Sequence, residues 1–315
     1  MPRPGVDRRA FLAAAAGLAA GALIPLRAQQ PAQSRTRLIL LGTAGGPTPK
    51  RSASAPSQVI LVDGVAYVVD CGDGVARQLR LSGVPWSALR HIFITHHHSD
   101  HNADYGNLIL LAWASGLGTR VDAWGPPPLS RMTSQFLEMN KYDIDVRIAD
   151  EGRLPLAPLV HPHERTAAGV VMRDDEVTVT CALVPHPEVS PAFAYRFDTP
   201  DRSIVISGDT ARSDALIELA RGADVLVHEV MWLPAIDRLV GADTNARTLK
   251  KHIVDSHTSV EDAARVAQAA GVKTLVLSHF VPADDDQITD DMWAAAARAH
   301  FKGRVVVGTD LMEVQ

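Results

Sequence analysis

Cysteine is almost missing from this 315-residue chain, which has only Cys71 and Cys181. They lie far apart in unlike contexts, so a disulfide framework is excluded, although a single bridge is not; the simplest reading is two buried small apolar residues. No internal repeat is visible, and no low-complexity run follows the first 28 residues. The one apolar run near the start, Ala13 to Leu26, is too short and too rich in alanine to make a good membrane span. A glycine-rich turn, Gly42-Thr43-Ala44-Gly45-Gly46-Pro47, has no Walker lysine followed by Ser or Thr, so by itself it is a weak sign of a phosphate cradle. Its other reading is a tight turn at the edge of a site.

What is present describes an ordinary globular protein. Apolar residues make up 46% and charged residues 21%, enough to bury a sizeable core as one large domain or two small ones. The start is different. Asp7-Arg8-Arg9-Ala10-Phe11-Leu12 precedes the alanine-rich run, and small residues follow near Ala28. Residues 1–28 read as a twin-arginine export signal, with an uncleaved anchor as the competing reading. Residues 29–36 read as a linker and 37–315 as the folded domain. Removing residues 1–28, whose four arginines and one aspartate carry +3, takes the formal charge from −5 to −8. That acidity argues against a broad electrostatic grip on nucleic acid, and export places the chain in a bacterial periplasm.

The densest chemistry lies in Thr95-His96-His97-His98-Ser99-Asp100-His101. It contains His-x-His-x-Asp-His directly after the apolar run Ile92-Phe93-Ile94, so the cluster leaves the end of a buried strand. On extended backbone, His96 and His98 share a side and His97 faces the other way. Asp100 and His101 follow as the chain turns, positioned for a second ion beside the first. Imidazole with carboxylate suits zinc, or manganese or iron in its place.

Further along, apolar runs again end in polar residues: Val177–Val184 before His186, Ile204–Ile206 before Asp209, Val225–His228 before Glu229, and Leu275–Ser278 before His279. Strand ends are where sheet enzymes build sites. Ser213 and Ser259 read as helix caps, the latter with Asp262 three residues on. Ser130 to Tyr142 has helical periodicity. Residues 143–169 show no clear period; within them His161 and His163 read as a surface loop or a loop over the site mouth. His252 and His300 read as solvated. Lys50 and Arg51 read as either an attraction for an anionic substrate or plain surface charge.

These residues resemble the metallo-β-lactamase fold hydrolases over about residues 36–312. The resemblance implies an α/β fold, the αββα sandwich of two face-to-face sheets with helices outside. It implies two divalent metal ions: His96, His98 and His186 on one, Asp100, His101 and His279 on the other, and Asp209 bridging. Within the superfamily the chain is most similar to the tRNase Z and arylsulfatase-like branch, through Leu41–Pro47, Val69-Asp70-Cys71-Gly72, Ala223–Glu229 and Ser256-His257-Thr258-Ser259. The branch implies proton transfer by Glu229 and His257, which with Asp100 are the candidate catalytic residues; a structural hydrogen-bonded pair is the alternative for the first two. Asp70 is expected to hold a ligand imidazole. The branch is often dimeric, which makes a homodimer possible, but the sequence does not read out the oligomeric state.

Two departures from tRNase Z shape the expected substrate. Only 22 residues separate His186 from Asp209, too few for the long arm that holds tRNA. Val230-Met231-Trp232 stands where a threonine is usual. With the export signal and the acidity, the expectation is an exported dinuclear zinc hydrolase of small anionic esters, aryl sulfate or phosphodiester. Its partners would be the ester and the twin-arginine machinery, with nucleic acid unlikely. A tRNase Z-like nuclease and a β-lactam hydrolase are the alternatives.

Overall fold

Alternation along the first strand already contains the architecture. In Thr36–Gly42, Leu38 and Leu40 turn to one side and Ile39 and Leu41 to the other, and all four are buried. A strand buried on both faces needs a layer on each side of its sheet. The computed structural model describes residues 35–241 and 244–315, and it supplies both layers. The residues read as an export signal lie outside this range. Among the described residues no helix is long and apolar enough to cross a membrane.

The first half of the chain gives strands β1 (Thr36–Gly42), β2 (Ser57–Val62), β3 (Val65–Val69), β4 (Leu89–Phe93), β5 (Val121–Gly125) and β6 (Val160–Glu164). The second half gives β7 (Gly169–Arg173), β8 (Thr178–Leu183), β9 (Phe193–Asp198), β10 (Ser203–Ile206), β11 (Val225–Met231), β12 (Thr274–Val281) and β13 (Arg304–Val307). A last short strand, β14 (Glu313–Val314), returns to pair with β1. One sheet runs β14-β1-β2-β3-β4-β5-β6 and the other β13-β12-β11-β10-β9-β8-β7.

Leu38, Leu40, Ile60, Val69 and Phe93 of the first sheet meet Val179, Phe197, Ile206 and Val276 of the second. Phe93 sits edge-on to Tyr195 and Phe197 across this seam, with ring centres 5.4 and 5.1 Å apart. The opposite face of the first sheet packs on α1 (Val75–Leu81), α3 (Tyr105–Ala114), α4 (Leu129–Met139) and α5 (Lys141–Glu151), while the short α2 (Ser99–Asn102) follows β4. The outer face of the second carries α6 (Asp214–Leu219), α9 (Val260–Ala270) and α10 (Asp290–Arg298). Between these in sequence, α7 (Ile236–Val240) and α8 (Ala246–Ser256) form a separate apolar cluster with Met231 and Val281. This is the αββα sandwich that the resemblance implied.

Local signals place several boundaries. Ser213 Oγ accepts from the Leu216 amide and Ser259 Oγ from the Asp262 amide, capping α6 and α9. The periodic stretch from Ser130 does not stay one helix: it divides at Asn140 into α4 and α5. The unreadable stretch after it completes α5 and then makes the edge strand β6, paired in parallel with β5. His161 and His163 lie on that strand, not in a loop. His163 stacks on Trp124 and meets Asp122 at 2.6 Å, while His161 bonds the Pro158 carbonyl. Neither is a wall of the cleft described next.

Candidate metal centre

Four strand ends converge at one rim of the sandwich. β4 delivers Thr95 to His101, β10 delivers Asp209, and β11 and β12 carry Glu229 and His279. His186 arrives from the turn after β8. The pairing of β11 with β12 slips between Glu229 and Val230, so His279 is the extra residue of a bulge, with φ of 47°. A bulge re-aims one side chain, and a non-glycine residue in this region marks a strained position that packing must hold. Gly45 permits it, since a Cβ there would stand 2.7 Å from the His279 ring. Gly208 plays a similar part before Asp209: its φ is 58° and a Cβ would lie 2.7 Å from the Phe193 carbonyl oxygen.

Two donor groups result. Donor atoms of His96, His98, His186 and Asp209 lie within 4.8 Å of one another, as do those of Asp100, His101, Asp209 and His279. Asp209 is common to both. The partners of the outward nitrogens orient the rings. His186 Nδ1 donates to the Ser256 carbonyl at 3.0 Å, and His101 Nδ1 donates to Asp70 Oδ2 at 2.8 Å. Asp70 also accepts from the Thr95 amide and hydroxyl, and Thr95 Oγ1 lies 3.0 Å from His96 Nδ1. One carboxylate thereby orients His101 directly and His96 through Thr95, the supporting role expected of Asp70.

The inward atoms fit cations. With hydrogen on Nδ1, His96 and His186 each point a bare Nε2 at His98 Nδ1, at 3.1 and 3.0 Å. Three ring nitrogens facing one another cannot all be satisfied by one proton, whereas a cation satisfies all three. On the other side, the buried His101 Nε2 and His279 Nε2 each point at the Asp209 carboxylate from 3.2 Å, outside good hydrogen-bond geometry. Buried imidazole and carboxylate atoms in such number suit two divalent metal ions.

Electrostatics differ between the sides. Burial, helped by the neighbouring imidazole of His186, pulls His98 down to about 4 and lowers His96 and His186 as well. On the carboxylate side burial again pulls His279 down, but Asp209 and Asp100 outweigh it and raise it to about 10. His101 moves up for the same reason, with Asp70 contributing. Burial pushes Asp209 up, and His101 and His279 overcome it and hold its carboxyl far below the usual range.

Glu229 and His257 stand beside both groups. Glu229 Oε1 accepts from the Thr258 amide at 2.7 Å, and Oε2 lies 3.3 Å from His257 Nδ1. Burial lowers the His257 pKa, yet Glu229 and Asp209 prevail and raise it. Asp100 Oδ2 accepts from the Gly46 amide at 2.9 Å, which ties the glycine-rich turn to the site edge. His97 faces away, as alternation requires, and bonds the Pro126 carbonyl and Asn102.

The site opens into a cleft of about 430 Å³ whose walls include Lys50, His98, Asp100, Asp209 and His257, with Leu249 and Ile253 of α8 opposite. His252 also lines it, against the expectation that it is solvated. A residue between Lys251 and Ile253 on an amphipathic helix could have been placed inward only by noting that Leu249 and Ile253 flank it on the apolar face.

Known proteins resemble this chain over most of its length. The family model described as a Beta-lactamase superfamily domain matches residues 66–280. Ribonuclease Z of Mycobacterium bovis (strain BCG / Pasteur 1173P2) is 35% identical over 281 residues, 88% of this chain and 97% of that protein. The crystal structure of the short form of human tRNase Z superposes with a TM-score of 0.64 at 21% identity, covering 89% of this chain and 98% of that one. The metallo-beta-lactamase fold protein YhfI from Bacillus subtilis gives the same TM-score at 20% identity over the same shares.

These relatives overturn the expected function and partners. An exported cleaver of small anionic esters on the arylsulfatase pattern, with nucleic acid unlikely, is not what proteins of this sequence are named for. The arguments that led there fail for physical reasons. Net charge sums the whole surface, while a grip on a polyanion depends on the local field at the cleft, where Lys50 stands. The missing arm does not discriminate either, because the Mycobacterium bovis protein aligns along nearly its full length with almost no unmatched residues. With the αββα sandwich, the paired donor groups and near-full-length relatives in agreement, the chain belongs to the metallo-β-lactamase fold hydrolases and, within them, to the family of the bacterial ribonuclease Z proteins.

Proposed function

We propose that this protein is a dinuclear metal-dependent phosphodiesterase of the ribonuclease Z kind, with an RNA phosphodiester as its substrate. The observation that carries the reading is Asp209, shared by two donor groups, with the Glu229–His257 pair beside it in an open cleft. The near-full-length relationship to ribonuclease Z supports RNA as the substrate.

In this reading His96, His98 and His186 would hold one ion and Asp100, His101 and His279 the other, with Asp209 common to the two sets. Zinc fits the imidazole-rich set best. Such an ion pair supplies a lowered pKa for the attacking water and positive charge against the non-bridging phosphate oxygens. The protein's own residues do the remainder. Asp70 and Thr95 keep the rings in place. Glu229 accepts from His257 Nδ1 and favours the charged ring, whose Nε2 proton would then be available to the departing ribose oxygen. The apolar wall of Leu249 and Ile253 limits water on one side of the reacting phosphate.

The test uses full-length protein loaded with zinc, an RNA transcript containing a tRNA with flanking sequence, and bis(p-nitrophenyl) phosphate. Cleavage of both, stopped by a chelator and restored by metal, is the expected result. Metal-loaded protein that leaves both intact and opens a chromogenic cephalosporin instead would refute the reading.

A further inference from the structure

α8 brings two histidines to the cleft by different means. His252 and His257 are five residues apart, a rotation of about 140° on a continuing helix, which would separate them. The helix stops at Ser256, and His257 is extended with φ of −122° and ψ of 161°. Both rings therefore line the same cleft. They are otherwise unlike. His257 is tied to Glu229, while His252 is half-buried and has no hydrogen-bond partner among the described residues.

The His252 ring lies 5.7 Å from that of His98, edge to face, and 6.2 Å from that of His186, tilted, centre to centre. It thus adjoins the imidazole side of the metal centre and not the Asp100, His101 and His279 side. Its neighbours along the helix face are Leu249 and Ile253, and a leucine at 252 would continue that apolar wall. An imidazole there instead presents ring nitrogens that can bond a group entering the cleft. The Lys50 ammonium, from the loop after β1, lines the same cleft. A hydrogen-bond donor and a cation facing one cleft suit an anion.

We infer that His252 is a substrate-binding residue, donating a ring N–H to a non-bridging oxygen of the substrate phosphate on the His98–His186 side. The inference rests on the phosphodiesterase reading for the identity of the anion. It is tested on full-length, zinc-loaded protein by calorimetric titration with inorganic phosphate, with metal content measured on the same samples. His252→Ala is expected to keep both ions and to weaken phosphate binding about tenfold or more, the value of one hydrogen bond to a charged acceptor. KM for bis(p-nitrophenyl) phosphate should rise in step while kcat changes little. His252→Gln should recover most of the affinity, because its amide still donates. Unchanged phosphate affinity in His252→Ala, or loss of an ion from it, would overturn the inference. A wild type that binds phosphate through His252 but cleaves no phosphodiester refutes the proposed function and leaves this phosphate site standing.

Discussion

The two sides of the metal centre use the same residue types and hold them in opposite ways. On one side the buried imidazoles of His96 and His186 face the half-buried one of His98 with only Asp209 for carboxylate, and burial lowers all three, His98 down to about 4. On the other, Asp100 and Asp209 surround His101 and His279, and the carboxylates win over burial, raising His279 to about 10. Neutral nitrogens offer lone pairs to a cation at once. The carboxylate side must first give up protons, and in return offers it negative charge. Asp209 reaches both, so it couples sites that are otherwise chemically distinct.

Breaking the coupling should have the largest effect. Asp209→Ala is expected to cost both ions and to reduce phosphodiester cleavage by at least about a thousandfold, read by metal analysis and initial rates. Next comes the proton donor. His257→Ala should retain two ions but lower kcat by about 10²- to 10⁴-fold, more on substrates with poor leaving groups; loss of metal would make His257 a structural residue or a ligand.

The sides can also be separated. His186→Ala should lose only the imidazole-side ion and His279→Ala only the carboxylate-side ion, each leaving one equivalent per chain. A smaller effect is expected of Asp70→Asn, which leaves every proposed ligand in place and weakens the support of His101. Affinity for one ion should fall about 10- to 100-fold.

The least disruptive comparison uses pH on chelator-treated protein. His98 has a folded pKa below its ordinary value, so its contribution to stability is present above about 6.5 and is lost as pH falls toward about 4. His279 has a raised folded pKa, so its contribution is present below about 6.5 and is lost as pH rises through about 10. Thermal unfolding should therefore show a maximum near neutral pH, with His98→Ala flattening the acid limb and His279→Ala the alkaline one. Coincident pH profiles for both variants would deny that the two sides differ.

Much of this was legible before any coordinates. Buried strands that end in polar residues announced His96, His98, His101, His186, Asp209 and His279, because a site at sheet ends needs apolar runs with abrupt polar stops. The layered sandwich with helices outside came from the family resemblance. Other features depend on tertiary contacts that leave no local period. The edge strand β6 was unreadable because Pro155, Pro158 and Pro162 interrupt every pattern between Leu154 and Glu164. His252 was misplaced because its neighbours in space, His98 and His186, are more than sixty residues away in sequence. The substrate was misjudged because whole-chain charge cannot describe the field inside one cleft.

The most direct test of a two-ion phosphodiesterase combines metal counting with RNA cleavage on one preparation of the full-length protein. Two equivalents of zinc per chain, with RNA cleavage that titrates to zero as a chelator removes them, is the expected result. A protein that binds two equivalents tightly and leaves the RNA and bis(p-nitrophenyl) phosphate intact would contradict the account.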